Sequence, residues 1–231
     1  MTEDQKRGAA WAAAEQVHDG MVVGLGGGTT AALAVRRIGE LLGSGQLHQV
    51  RGVPCSQAVA RLARECGIPL ASLEECPVVD LTIDGADEVD PALNLIKGAG
   101  GAALREKIVA QASRRLVIVV DESKLSPILG TRAAVPVDVV PFGWSAQAAF
   151  IEGLGGSPSL RRTEEGIAFR TDDGHYVLDC HFGPISDPHA LAQALEHRAG
   201  VVGHGLFLGL ADEVIVGGPQ GVRHLRAGNP A

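Results

Sequence analysis

The 231-residue sequence predicts an α/β fold, namely a doubly wound, Rossmann-like parallel sheet with a smaller α+β, ferredoxin-like domain inserted before the last strands. Three observations predict it. Short apolar runs such as Met21–Leu25 and Leu116–Val120 read as strands buried on both faces. Helical stretches punctuated by glycine alternate with them, as crossovers between parallel strands require. Beyond Gly130 the texture shifts to a β-α-β-β-α spacing, which marks a separate small unit. The boundaries read from this pattern are 1–130 plus 205–231 for the sheet domain and 131–204 for the small domain.

In chain order, Thr2-Glu3-Asp4-Gln5 has the form of a capping box, and the alanine-rich run to Val17 with Gly20 after it predicts a first helix. Lys6 and Arg7 fall in its first turns, where a basic group opposes the helix dipole and faces solvent or meets an anion. A strand at Met21–Leu25 then enters Gly26-Gly27-Gly28-Thr29-Thr30, ahead of a helix from Ala31 to Leu42. Bare amides at a helix start, with threonine hydroxyls beside them, suit a phosphate. The loop lacks the Gly-Lys-Ser/Thr ending of a P-loop. It satisfies a loose G-x-G-x-x-A, but the second strand, Val50–Val53, ends in Pro54-Cys55-Ser56 and offers no acid for a ribose, so NAD is disfavoured.

A helix over Ser56–Cys66, closed by Gly67, leads to a strand over Val78–Ile83, which delivers Asp84-Gly85-Ala86-Asp87-Glu88 onto a turn. Asp84 and Asp87 straddle Gly85-Ala86, a spacing at which mutual repulsion can keep one carboxyl protonated. Lys97-Gly98-Ala99-Gly100-Gly101 then feeds a helix carrying Arg105-Glu106-Lys107. Taken singly, an Asp-Gly turn and an Arg-Glu-Lys helix face are ordinary features. Within one crossover they assemble acids, a base and amides that can stabilise an oxyanion. Of the 20 basic side chains only Lys6, Lys97, Lys107 and Lys124 are lysines, and Lys97 and Lys107 flank this stretch. The strand Leu116–Val120 ends in Asp121-Glu122-Ser123-Lys124, placing Lys124 on the same rim as the glycine loop.

In the small domain, Val135–Val139, a helix from Ser145 to Leu154, two strands around the Asp172–Gly174 turn and a helix from Asp187 to His197 follow one another. Val201–Leu208 reads as the return to the first domain, where Val214–Val216 and Val222–Leu225 add the last strands. A net charge of −7 and 3% aromatic residues argue against nucleic acid. Four cysteines without metal-type pairing, an acidic start and no membrane-length apolar run predict a reduced, cytoplasmic chain without a membrane. The scattered histidines predict no metal site, and the lysine beside the acidic cluster makes a divalent ion there unnecessary.

Four motifs in this order, Gly24–Thr30, Asp84–Glu88, Lys97–Gly100 with Arg105–Lys107, and Asp121–Lys124, resemble ribose-5-phosphate isomerase type A from Lys6 nearly to the end. That resemblance implies interconversion of D-ribose 5-phosphate and D-ribulose 5-phosphate in the pentose phosphate pathway, with no metal or organic cofactor. It implies Glu106 as general base through an enediolate, Asp84 and Asp87 assisting ring opening and proton movement, and Lys97 steadying negative charge. Gly27, Gly28, Thr29 and Thr30 would bind the phosphate with Lys124 and Lys6. Gly85, Ala86, Gly98, Ala99 and Gly100 would complete the sugar-phosphate site, and a dimer or tetramer is expected. The family loop usually reads Gly-x-Gly-Thr-Gly-Ser-Thr, so Gly27 and Thr29 depart from it, as do Ala99 and Cys55 at positions usually held by glycine and a small hydroxyl residue. Altered phosphate affinity with intact chemistry is expected. Two other readings share the sheet type: a sugar-phosphate sensor, which would need a DNA-binding segment, and a coenzyme A transferase with a nucleophilic glutamate.

Overall fold

Helix α1 (Glu3–Ala14) opens the computed structural model, which describes residues 3–226; the capping residue Thr2 lies outside them. Its buried stripe is Ala9, Ala10, Ala13 and Ala14, small side chains that let the helix backbone come close to the sheet. Strand β1 (Val22–Leu25) runs into α2 (Gly28–Gly43), which starts three residues before the predicted Ala31. Strand β2 (Arg51–Pro54) precedes α3 (Gln57–Glu65), where Ser56 caps the helix by accepting from the Val59 N–H and Gly67 leaves it at φ +71°. Strands β3 (Leu81–Asp84), β4 (Glu88–Val89) and β5 (Leu95–Ile96) lead to α4 (Ala103–Gln111) and β6 (Leu116–Asp121). A 3-10 turn over Glu122–Lys124 follows. The rest is β7 (Val135–Val139), α5 (Trp144–Gly153), β8 (Ser157–Leu160), β9 (Tyr176–His181), α6 (Pro188–Glu196), β10 (Val201–His204), β11 (Leu206–Phe207), β12 (Glu213–Gly218) and β13 (Gly221–Arg226).

The chain divides into two units, residues 1–86, 105–124 and 209–231 in one, and 87–104 and 125–208 in the other. The first is built on a six-stranded sheet ordered β2-β1-β3-β6-β12-β13, parallel throughout except for the β12–β13 edge pair. Glycine permits close packing on both faces. A Cβ on Gly24 would lie 2.8 Å from Val109 of α4, and one on Gly217 would lie 2.0 Å from the Gln5 carbonyl of α1. Gly24 is level with Thr82 and Leu116, and Gly217 with Asp121, an odd number of residues further along β6, so α4 and α1 cover opposite faces. The sheet is therefore doubly wound.

The second unit holds a four-stranded antiparallel sheet, β10-β7-β9-β8, and a three-stranded one, β11-β5-β4. Its β7-α5-β8-β9-α6-β10 sequence with that strand order is the ferredoxin-like arrangement, around a core that includes Val135, Val137, Ile151, Leu178 and Leu195. Here the structure corrects the sequence reading. Val201–Leu208 does not return to the first unit: β10 pairs with β7, and β11 with β5. A split β-α-β needs its last strand at the sheet edge, and an apolar run cannot by itself say which sheet takes it. The Asp172–Gly174 turn forms, with the Gly174 N–H donating to the Thr171 carbonyl, and the strands on its two sides, β8 and β9, pair antiparallel, with an Arg162–Ala168 bridge in the stretch that joins them.

Candidate active site

In the first unit the chain winds outward from β1 to β2 and, in the other direction, from β3 to β6. The β1/β3 boundary is thus the switch point, where loops leaving adjacent strands diverge and open a crevice. Gly26 and Asp84 meet there. The Gly26 N–H donates to the Ile83 carbonyl at 2.9 Å, and a Cβ on Gly26 would stand 2.2 Å from the Asp84 carboxyl. The cradle for Asp84 therefore exists because position 26 has no side chain. Asp84 Oδ1 accepts from the Gly27 N–H at 2.9 Å and the Gly85 N–H at 2.7 Å, which fixes a carboxylate that is 1% exposed. Gly85 is close to the same loop, its notional Cβ 3.1 Å from the Gly27 carbonyl, and Ala86 follows half-buried.

Glu106 reaches this loop from α4. Ala103, Glu106, Val109 and Ala110 form the helix's buried stripe at three- and four-residue spacing, while Ile108 is exposed. The glutamate therefore points inward where a solvated Arg-Glu-Lys face would not. Its Oε1 lies 3.2 Å from the Cβ position of Gly27, and Cys55 Sγ lies 3.9 Å from the same point. Two carboxylates, Asp84 and Glu106, thus flank Gly27. Cys55 is itself buried, and the four cysteines form no disulfide.

Helix α2 begins here without a side-chain cap: Gly27 is its N-cap residue, and Gly28, at φ +84°, and Thr29 are exposed while Thr30 is buried. Lys6 Nζ donates to Thr29 Oγ1 at 3.0 Å. An ammonium beside the positive end of a helix is electrostatically unfavourable until an anion joins them. Lys124 ends the 3-10 turn after β6, at the same carboxyl rim of the parallel sheet. Buried Asp121 shapes that turn by accepting from the Ser123 N–H at 2.9 Å and from the Ser123 hydroxyl.

The remaining predicted residues belong to the second unit. Asp87 N–H donates to the Ile96 carbonyl at 2.8 Å, and Asp87 Oδ2 accepts from the Ala99 N–H at 2.9 Å. Lys97 is 3% exposed, its N–H donates to the Gly205 carbonyl at 2.9 Å, and its Nζ stands 5.4 Å from the Phe207 ring centre. Gly98 (φ +104°) and Gly101 (φ +80°) need glycine, and the Gly101 N–H closes a turn onto the Gly98 carbonyl. The sequence suggests that the amides of the Gly98–Gly101 run are open to an oxyanion, but not every one is: Gly98 and Gly101 are buried, and the Ala99 N–H is taken by Asp87, leaving Gly100 as the exposed donor.

Sequence reasoning missed the groups that hold this loop. Arg161 Nη1 donates to the carbonyls of Gly98 at 3.1 Å and Ala99 at 3.0 Å. Glu88, fully buried, accepts from the amides of Gly130 at 3.0 Å, Arg132 at 3.2 Å and Ala133 at 3.0 Å, and is a strut. Asp90 is a turn residue, accepting from the Ala92 and Asn94 amides. Among the described residues, no group of three or more His, Cys, Asp or Glu side chains is arranged to hold a metal ion, and no helix is long and apolar enough to cross a membrane.

A doubly wound sheet with an uncapped glycine loop and buried carboxylates at its switch point defines an α/β protein that handles a small anionic molecule. Comparison with known proteins is specific. The family model described as ribose 5-phosphate isomerase A (phosphoriboisomerase A) matches residues 51–221. Ribose-5-phosphate isomerase A of Chloroflexus aurantiacus is 58% identical over 97% of this chain and 94% of its own. The solved ribose 5-phosphate isomerase A of Methanocaldococcus jannaschii superposes with a TM-score of 0.93 at 38% identity, covering 98% of this chain and all of that one. A D-ribose-5-phosphate isomerase solved in complex with phospho-erythronic acid gives a TM-score of 0.95 at 38% identity, over 98% and 99% of the two chains. The chain belongs to the ribose 5-phosphate isomerase A family, and is an enzyme of the aldose–ketose isomerase class.

Proposed function

We propose that the chain, whose relatives are named ribose-5-phosphate isomerases, interconverts D-ribose 5-phosphate and D-ribulose 5-phosphate by carbon-to-carbon proton transfer with Glu106 as general base. The observation that carries this reading is the inward-facing Glu106 carboxylate beside Gly27, next to the fixed carboxylate of Asp84. Glu106 removes the C2 proton of the open-chain aldose. The electron pair left behind forms the C1–C2 double bond of an enediolate with the charge on O1, the O2 hydroxyl proton passes to O1, and the same carboxyl returns the first proton to C1 as O2 becomes the ketone. Asp84 and Asp87 assist ring opening and proton movement at the sugar oxygens. Lys97 and the exposed Gly100 amide steady the negative charge.

The substrate's phosphate is assigned to Gly27, Gly28, Thr29 and Thr30 with Lys6 and Lys124. Support comes from the uncapped start of α2 and the Lys6–Thr29 contact. Gly85, Ala86, Gly98 and Ala99 complete the binding residues. No metal or organic cofactor enters this mechanism. A place in the pentose phosphate pathway and a cytoplasmic location accompany the reading. A homodimer or tetramer is supported by exposed Val202 on the edge strand β10 and by exposed Val140 and Phe142 (91% exposed) just after β7, and light scattering checks it.

The deciding experiment is turnover of ribose 5-phosphate in deuterated water by the wild type and by Glu106→Gln. The wild type forms ribulose 5-phosphate with solvent deuterium at the exchanged carbon. The variant loses about a hundredfold or more in kcat with KM little changed. A variant as active as the wild type moves the base to another residue.

A further inference from the structure

The Gly98–Gly101 loop does not set its own orientation. Gly100 has open space around its Cβ position and no positive φ, so nothing in its own geometry dictates where its N–H points. Arg161 does. One of its nitrogens, Nη1, holds the carbonyls of Gly98 and Ala99 together at 3.1 and 3.0 Å. The guanidinium is in turn held by Asp179, through Nε to Oδ2 at 2.9 Å and Nη2 to Oδ1, and by the Phe169 ring, 5.7 Å from its carbon. Phe169 also lies over Gly101, where a Cβ would come within 2.5 Å of the ring. Arg161 and Asp179 are brought together by the β8–β9 ladder, in which Asp179 faces Ser159 and the Arg161 N–H donates to the Val177 carbonyl.

In a trans peptide, the carbonyl of one residue and the N–H of the next point in opposite directions. Turning the Gly98 carbonyl toward Arg161 sends the Ala99 N–H the other way, and that N–H is the donor to Asp87 Oδ2. Turning the Ala99 carbonyl toward Arg161 likewise sends the exposed Gly100 N–H away from the guanidinium. A single side chain thus fixes the aim of two consecutive amides, one holding Asp87 and one open. With its charge matched by Asp179, Arg161 has no need of an anionic ligand.

We propose that Arg161, locked by Asp179, is a positioning residue of the isomerase reaction: it orients the Ala99 amide that holds Asp87 and the Gly100 amide that meets the substrate's developing negative charge. This rests on the reading above that Asp87 and Gly98–Gly100 serve the reaction. Because the pair acts through orientation, its loss slows the reaction while leaving phosphate binding intact.

The test compares wild type, Arg161→Met, Arg161→Lys, Arg161→Ala and Asp179→Asn in kcat, KM for ribose 5-phosphate and melting temperature. Arg161→Met is expected to lose roughly 30-fold in kcat, with KM within about threefold. Arg161→Lys keeps the charge but not the planar fork and recovers only part of that loss. Millimolar guanidinium ion raises kcat of Arg161→Ala and leaves the wild type unchanged, a response that a general loss of stability does not give. Asp179→Asn shows a smaller fall in kcat than Arg161→Met. Arg161 variants with wild-type kcat, or variants that melt early and gain nothing from guanidinium, overturn the proposal. A wild type that fails to turn over ribose 5-phosphate overturns the functional reading itself, so the two failures are distinct.

Discussion

Asp84 and Glu213 are buried carboxylates at opposite ends of the same parallel sheet, Asp84 closing β3 and Glu213 opening β12. They are held by different chemistry. Asp84 rests on the backbone amides of Gly27 and Gly85, in a space that exists because residue 26 is glycine. Glu213 is ringed by side chains: Gln16 at 3.1 Å, Arg115 at 3.3 Å, His224 at 2.8 Å and Arg226 at 3.0 Å. Amides fix a carboxylate without covering it in bulk, so the carboxyl rim keeps room beside it for a ligand. The cations at the amino end fill the space and serve stability.

Breaking the amide cradle should have the largest effect. Gly26→Ala places a methyl 2.2 Å from the Asp84 carboxyl and 2.4 Å from its Cα, backbone that cannot step aside. A loss of about 3 kcal/mol in unfolding free energy is expected, with activity lost alongside, measured by denaturant melts and turnover. Wild-type behaviour of Gly26→Ala would show that the cradle is not a constraint.

A smaller change sharpens the same contrast one residue along. Gly27→Thr restores the hydroxyl common in the family loop, at a backbone conformation (φ −102°, ψ 178°) open to any residue, although its Cβ would stand 3.2 Å from Glu106 Oε1. If the loop lacks one phosphate donor, KM should fall about fivefold, the equivalent of one hydrogen bond of about 1 kcal/mol. An unchanged KM would mean that the substitution at 27 costs the phosphate site nothing.

The sheet was legible because apolar strands and glycine stops carry their own signal: β1, β6, β12 and the capped α3 fall close to where their residues predict. The start of α2 was not, since Gly28-Thr29-Thr30 reads equally as loop and as first turn. The fate of β10 was hidden because pairing across a sheet is non-local. Among the candidate residues, Asp84, Lys97 and Glu106 carry chemical character that the sequence itself displays, and each is buried. Arg161 and Asp179 were not legible, because they lie some 60 to 80 residues from the loop they serve and sit in a strand pair that looks like ordinary surface. Glu88 looked like turn chemistry because its three amide donors come from residues 130–133.

The side-chain ring at the other end gives the smallest expected effect, and one that depends on pH. Burial pushes the Glu213 carboxyl up, but hydrogen bonds from His224, Gln16 and Arg226, together with the Arg226 charge, outweigh it and hold the group below its ordinary 4.5. A carboxyl depressed in the folded state binds fewer protons there than in the unfolded chain. Its stabilisation is therefore fully present above the unfolded value and lost as pH falls through the folded one. Glu213→Gln should then cost about 1 kcal/mol at neutral pH, where the charged acceptor is present. That difference should close once the solution is acid enough to protonate Glu213 in the wild type, because both chains then carry a neutral group at 213. Melting temperatures of the two proteins measured across this range decide it. A gap that persists unchanged into acid would mean that packing around Glu213, and not its charge, makes the amino end of the sheet stable.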